Sequence, residues 1–233
     1  LEKSYTKHDG EHWHRWIEKR PIQLLVASLV MILVGSLVEL IPTFMVKSNV
    51  ATIESVKPYT SLELEGRDIY IRESCVSCHS QLVRPFRSET ERYGEFSKSG
   101  EFVYDHPFQW GSKRTGPDLA REGAGNLKKS STWHYNHLEE PGAISTGSVM
   151  PSYSFLIDDN LDTASTPLKI NAMRTLGVPY EANYASKANA DLMVQAKLIS
   201  DDLQKEGIKV APNKEIIALI AYLQRLGTDI TKK

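Results

Sequence analysis

Between Pro21 and Val46 the chain carries a single ionisable side chain, Glu39, and Ile22 to Val38 is a run of Leu, Val, Ile, Met, Ala, Ser and Gly with only Gln23 at its edge. Counted to Ile41 the run has 20 residues. At about 1.5 Å per helical residue it covers about 30 Å, the thickness of a bilayer's hydrocarbon core. This one feature partitions the sequence. It predicts a tail over 1–20, a single transmembrane anchor helix over 21–45, a linker over 46–60 and a water-soluble domain over 61–233. A cleaved signal peptide is the competing reading, along with a buried helix. The stretch is longer than a signal peptide's apolar core, however, and Glu-Leu-Ile-Pro follows it where small residues would mark a cleavage site.

Lys3, Lys7, Arg15, Lys19 and Arg20 precede the span, and only Lys47 and Lys57 lie a comparable distance beyond it. The positive-inside rule therefore puts the N-terminus in the cytoplasm and the bulk of the chain on the other side. Trp13, Trp16 and Phe44 sit where interfacial aromatics are expected. Glu39 reads as a carboxylate at headgroup depth or as a partner for another helix. Lys+Arg total 28 against 29 for Asp+Glu, a net charge of -1. No long-range positive field exists to hold a nucleic-acid backbone. The 24% charged and 41% hydrophobic fractions exclude a disordered chain and a polytopic membrane protein, and two cysteines exclude a disulfide-dense scaffold.

Those two cysteines are Cys75 and Cys78, followed by His79. Cys-Val-Ser-Cys-His has the spacing of a c-type haem attachment site. Thiols three residues apart emerge on one side of a helical turn and can add to two vinyl groups, leaving the next side chain to reach the iron. A thioredoxin-like redox pair is the rival for C-x-x-C, but nothing around this one reads as strand then helix.

A haem iron needs a sixth partner, or an open position if it binds gas. His8, His12 and His14 fall on the far side of the membrane, and Met31 and Met45 lie in or beside the span. Met150 stands in Gly-Ser-Val-Met-Pro-Ser-Tyr, where Pro151 favours an extended backbone and the small residues allow close approach to a flat ligand. Met173 and Met193 fall within helical periodicity and read as packing residues. His106, His134 and His137 read as ordinary polar residues. Met150 is the expected ligand, and His/Met ligation implies a closed electron-transfer haem.

The remainder reads as helices and long loops. Ser61 is the expected cap of a helix running into the haem motif, and Ile216, Leu219, Ile220, Leu223 and Leu226 form one face of a last helix stopped by Gly227. With Gly116-Pro117-Asp118-Leu119, a Met-Pro loop and a final Ala-Tyr-Leu-Gln-Arg-Leu helix, the domain resembles a class I cytochrome c. The fold class is then mainly α: an N-terminal transmembrane helix plus a class I cytochrome c domain with two insertions. That resemblance implies that the Pro117 carbonyl accepts from the His79 ring N–H, which fixes the tautomer of the ligand.

The insertions are 80–115 and 152–211. The first holds seven of the chain's 20 aromatics among Arg84, Arg87, Lys113 and Arg114. It reads equally as a docking surface or as a loop with its own small core. Its cations are candidates for neutralising haem propionates. The second carries two amphipathic stretches, Thr166 to Gly177 and about Lys187 to Gly207.

The whole pattern resembles the mono-haem, membrane-anchored subunit of cbb3-type cytochrome c oxidase. It comprises the anchor, Gln-Leu-Val-Arg-Pro after the haem motif, Gly-Glu-Phe-Val-Tyr-Asp, Trp-Gly-Ser-Lys-Arg-Thr-Gly-Pro-Asp-Leu and Met-Pro-Ser-Tyr. The resemblance implies a bacterial inner-membrane respiratory complex with the haem domain periplasmic. One covalent haem c would take electrons from a di-haem c subunit or soluble cytochrome c and pass them to haem b of the catalytic haem b/copper subunit. It also implies a calcium ion near that interface, with the loop around Ser112 a candidate contributor. A free-standing tethered cytochrome shuttle remains open, as does a haem peroxidase or gas sensor with a dissociable sixth ligand.

Overall fold

The computed structural model describes residues 17–46, 52–111, 113–124 and 127–231. The chain divides into two compact units, Leu1–Ala51 and Thr52–Lys233. In the first, α1 (Pro21–Met45) starts with proline at its first position, where the missing N–H costs nothing. Its stretch Pro21–Thr43 has a mean hydropathy of 2.6 and none of it is buried within the protein. A helix apolar on every side finds no stable place in water and matches a bilayer.

The second unit is built on the crossing of its first and last long helices. α2 (Ser61–Arg72) is capped by Thr60, whose hydroxyl accepts from the Glu63 amide while the Glu63 carboxylate accepts from the Thr60 amide. This reciprocal box displaces the cap from the expected Ser61 by one residue, because Thr60 and not Ser61 has glutamate three positions on. Ser61 Oγ instead donates to the Ala188 carbonyl at 2.7 Å.

After the 3-10 turn Cys75–Ser77 come α3 (Arg87–Tyr93), a 3-10 turn at Ser99–Phe102, α4 (Ser131–Glu139), α5 (Pro141–Ile144) and α6 (Phe155–Asp158). Then follow α7 (Thr166–Thr175), α8 (Tyr184–Lys205), α9 (Glu215–Arg225) and α10 (Thr228–Thr231). Among the described residues the only extended pairing is an isolated bridge between Asn160 and Lys214. The protein is mainly α, as expected.

α9 is buried on nearly every side, with Ile217, Ala218 and Tyr222 as inaccessible as Ile216 and Ile220. The single apolar face expected for it is therefore too narrow a description, because α2, α4, α6 and α8 all pack against this one helix. At Gly66 α2 comes so close that a Cβ there would lie 1.9 Å from the Ala218 carbonyl oxygen. Gly66→Ala must push the two central helices apart, and we expect a loss of about 3 kcal/mol, read from denaturant unfolding of the protein.

α7 and α8 form a second core with α2, around Leu64, Ile170, Met173 and Ala188. Each ends at a glycine with positive φ, Gly177 and Gly207, the left-handed stop that glycine adopts without penalty. Met173 is buried and Met193 is 40% exposed, so both pack or face solvent.

Segment 80–115 divides its aromatics. Tyr93 and Phe102 are buried, while Phe86, Phe96 and Phe108 are exposed. Its cations are largely committed to internal carboxylates. Glu89 receives Arg84 and Arg114, the latter at 2.7 Å, and Arg87 pairs with Glu91. Arg84, Arg87 and Arg114, the cations considered for haem propionates, are thus each paired with a carboxylate of this chain. The Arg114 guanidinium, helped by the Arg84 amide and side chain, outweighs desolvation and holds the Glu89 carboxyl at about 2. A carboxyl held below its usual 4.5 stabilises the fold fully above that value and progressively less as pH falls toward about 2. We expect Glu89→Gln to flatten the acid limb of a stability–pH curve between about 4.5 and 2.

Candidate functional site

Two residues past the end of α2, Ser74 has a left-handed φ of 56°, and the chain turns at once into the Cys75–Ser77 helical turn. The amides of Cys78 and His79 both donate to the Cys75 carbonyl, at 3.1 and 2.9 Å, so both cysteines and the histidine leave one tight turn. Cys75 is half-buried and Cys78 exposed. Burial, then the nearby Glu73, pushes the Cys75 thiol up to about 12.

Two chain segments are zipped beside this turn: the Gly116 amide donates to Cys78 O at 3.0 Å and the Leu119 amide to Ser80 O at 2.8 Å. Asp118 locks the second segment by accepting from Ser80 Oγ, the Leu82 amide and the Ala120 amide. The result brings the Pro117 carbonyl 2.8 Å from His79 Nδ1. A carbonyl can only accept, so Nδ1 carries the proton and Nε2 keeps its lone pair. Gly116 makes room for the ring: a Cβ there would sit 2.2 Å from His79 Cε1.

Cys75, Cys78, His79, Pro117 and Met150 all line one cleft of about 750 Å³, inside the roughly 300–1,000 Å³ range of cofactor sites. Met150 reaches it from a loop pinned to α4, where the Tyr153 amide donates to Leu138 O at 2.8 Å and Ser152 Oγ to Glu139 O at 2.6 Å. The five residues singled out in the sequence are thus brought together. Ser112, named for calcium, lies outside the described residues, and among those described no group of three or more His, Cys, Asp or Glu is placed to hold a metal ion.

Two further residues belong to the cleft. His134 and His137, three apart on α4, both face it, whereas His106 does not. His137 stacks on Trp133 at 4.6 Å between centroids. His134 is 3% exposed; its Nε2 and the Nδ1 of His137 are buried without a hydrogen-bond partner in the described structure. Burial, reinforced by His137 and Lys129, pushes His134 down to about 4, so it is neutral at pH 7. The i, i+3 spacing that puts both rings on one face was visible in Trp-His-Tyr-Asn-His; which face turns inward was not.

The residues fit a haem: an imidazole with a free Nε2, a thioether, two thiols on one turn and a mostly apolar wall with orphaned polar atoms. A helix of membrane-spanning length and an α-helical domain with this cleft define a membrane-anchored protein of the cytochrome c class. The family model described as cytochrome c oxidase, mono-heme subunit/FixO, matches residues 14–230, and the chain belongs to that family. No curated protein matches it. It is accordingly a subunit of an oxidoreductase complex of the membrane, and its family implies a haem cofactor.

Proposed function

We propose that this chain is the fixed electron relay of a cbb3-type oxidase, holding one covalent haem c through Cys75 and Cys78, with His79 and Met150 as axial ligands. A haem so held supplies one-electron iron redox chemistry and nothing else is asked of it. No side chain acts as acid, base or nucleophile. Pro117 orients His79, the zipped segments keep that ring from swinging, and the α4 contacts keep Met150 seated and water out. Electrons enter from a di-haem c subunit or a soluble cytochrome c and leave to haem b of the catalytic copper-containing subunit.

In this reading α1 crosses a bacterial inner membrane with residues 1–20 cytoplasmic and 46–60 as linker, and residues 61–233 lie in the periplasm, with 80–115 and 152–211 as additions to a minimal cytochrome fold. The observation that supports it best is the 2.8 Å approach of His79 Nδ1 to the Pro117 carbonyl in the cleft that Met150 also lines. That hydrogen bond orients a metal-ligating histidine and raises its basicity.

The test is purification in mild detergent, with a pyridine haemochrome assay. Co-purification with haem b and copper, and a haemochrome of thioether-bound haem, is the expected result. A chain that purifies alone is a tethered shuttle. Ready CO binding without denaturation identifies a sensor or peroxidase and overturns Met150 ligation.

A further inference from the structure

Resting on the haem reading above, we propose that Arg92, Lys129 and His134 form the seat of the two haem propionates. A porphyrin tied by its vinyl groups to Cys75 and Cys78 carries its carboxylates on the opposite edge, so their partners must come from walls other than the cysteine turn. Arg92 at the end of α3, Lys129 just before α4 and His134 on α4 all line the cleft. These walls are continuous: Leu127 packs on the buried cluster containing Tyr93, the neighbour of Arg92.

The charges are arranged for an anion. Arg114, Arg121 and Arg225 end on carboxylates of this chain, but Arg92 and Lys129 form no ion pair among the described residues. Their cationic ends lie over aromatic rings instead, Arg92 at 5.1 Å from the Tyr93 centroid and Lys129 at 5.4 Å from Trp133. Such contacts orient a cation without neutralising it. His134 adds a buried, unpartnered Nε2. Leaving it so costs about 1–3 kcal/mol; protein covers Nε2 on the cleft side, so the ring must turn for Nε2–H to donate to a propionate oxygen and remove that cost. Three carboxyls line the cleft: Glu73 pairs with Arg72, Asp118 is taken up by Ser80, Leu82, Ala120 and Arg114, and Glu122 is buried there. Desolvation outweighs Lys129 and pushes its carboxyl up to about 7, so at neutral pH its charge is not fully present to cancel the lysine.

The experiment is redox difference infrared spectroscopy on the detergent-solubilised holoprotein, with ¹³C in the propionate carboxyl groups of the haem, alongside a potential titration. Arg92→Met and Lys129→Met are each expected to shift the labelled carboxylate bands and lower the potential, since removing a cation favours ferric iron. His134→Leu should move the bands, and His134→Gln, which keeps a donor, should restore them in part. Helicity and haem content serve as checks that each variant is folded. Labelled bands identical to wild type in all three loss variants, with native haem content, overturn the proposal. Absence of thioether-bound haem from the wild-type protein brings down the underlying reading instead, and is seen before any variant is made.

Discussion

Cys75→Ala together with Cys78→Ala yields a soluble unit that fails to reach native helicity and is degraded, while the anchor still inserts. The reason is the size of what the cleft must hold. It has a volume of about 750 Å³ and its floor is formed by Leu138, Leu219, Leu223 and Tyr70, residues that also build the main core. Without the porphyrin these apolar walls face water, at roughly 25 cal/mol per Å², a loss that counts heavily against the ~5–15 kcal/mol total stability of a domain. Circular dichroism of the double variant beside wild type decides the matter. A stable apoprotein with native helicity shows that the cleft is self-supporting and that the haem adds no structural core.

How much of this was legible in the sequence depends on how local each signal was. The bounds of α1 follow from hydropathy because a bilayer imposes one length on one composition. The ends of α7 and α8 were readable from Gly177 and Gly207 because a left-handed stop is a property of one residue. Cys75, Cys78 and His79 announce themselves through their spacing, and Pro117 and Met150 through short motifs. What the sequence left unplaced is non-local. Arg84 and Arg114 looked available for an anion, and only the fold shows them turned onto Glu89. His134 and His137 looked ordinary because an isolated helix of nine residues does not declare which side faces a cleft. The burial of α9 on nearly every side was invisible for the same reason: it depends on Gly66, some 150 residues earlier, letting α2 approach the Ala218 carbonyl.

The second large effect is expected at Met150. Met150→Ala should abolish the far-red absorption of a methionine bound to ferric iron and lower the potential by a few tenths of a volt, within the span of about 0.8 V that axial ligation covers. The direction follows from the ligand: a thioether is a weak donor that favours ferrous iron, and a water or a nitrogen in its place favours ferric. The fold should survive, unlike the cysteine variant, because the loop is held by hydrogen bonds that do not involve the Met150 side chain, from Tyr153 N to Leu138 O and from Ser152 Oγ to Glu139 O. A half-buried side chain at the edge of the cleft also leaves a smaller void than the macrocycle does. What replaces the sulfur is itself informative. His137 lines the same cleft with a buried, unpaired Nδ1, and burial first, then the field of His79, pushes its pKa below the ordinary histidine value. A variant whose spectrum reports bis-histidine ligation identifies His137 as near enough to reach the iron, and His137→Phe in the same background should convert it to a high-spin, CO-binding form. Persistence of the far-red band in Met150→Ala removes Met150 from the ligand set altogether.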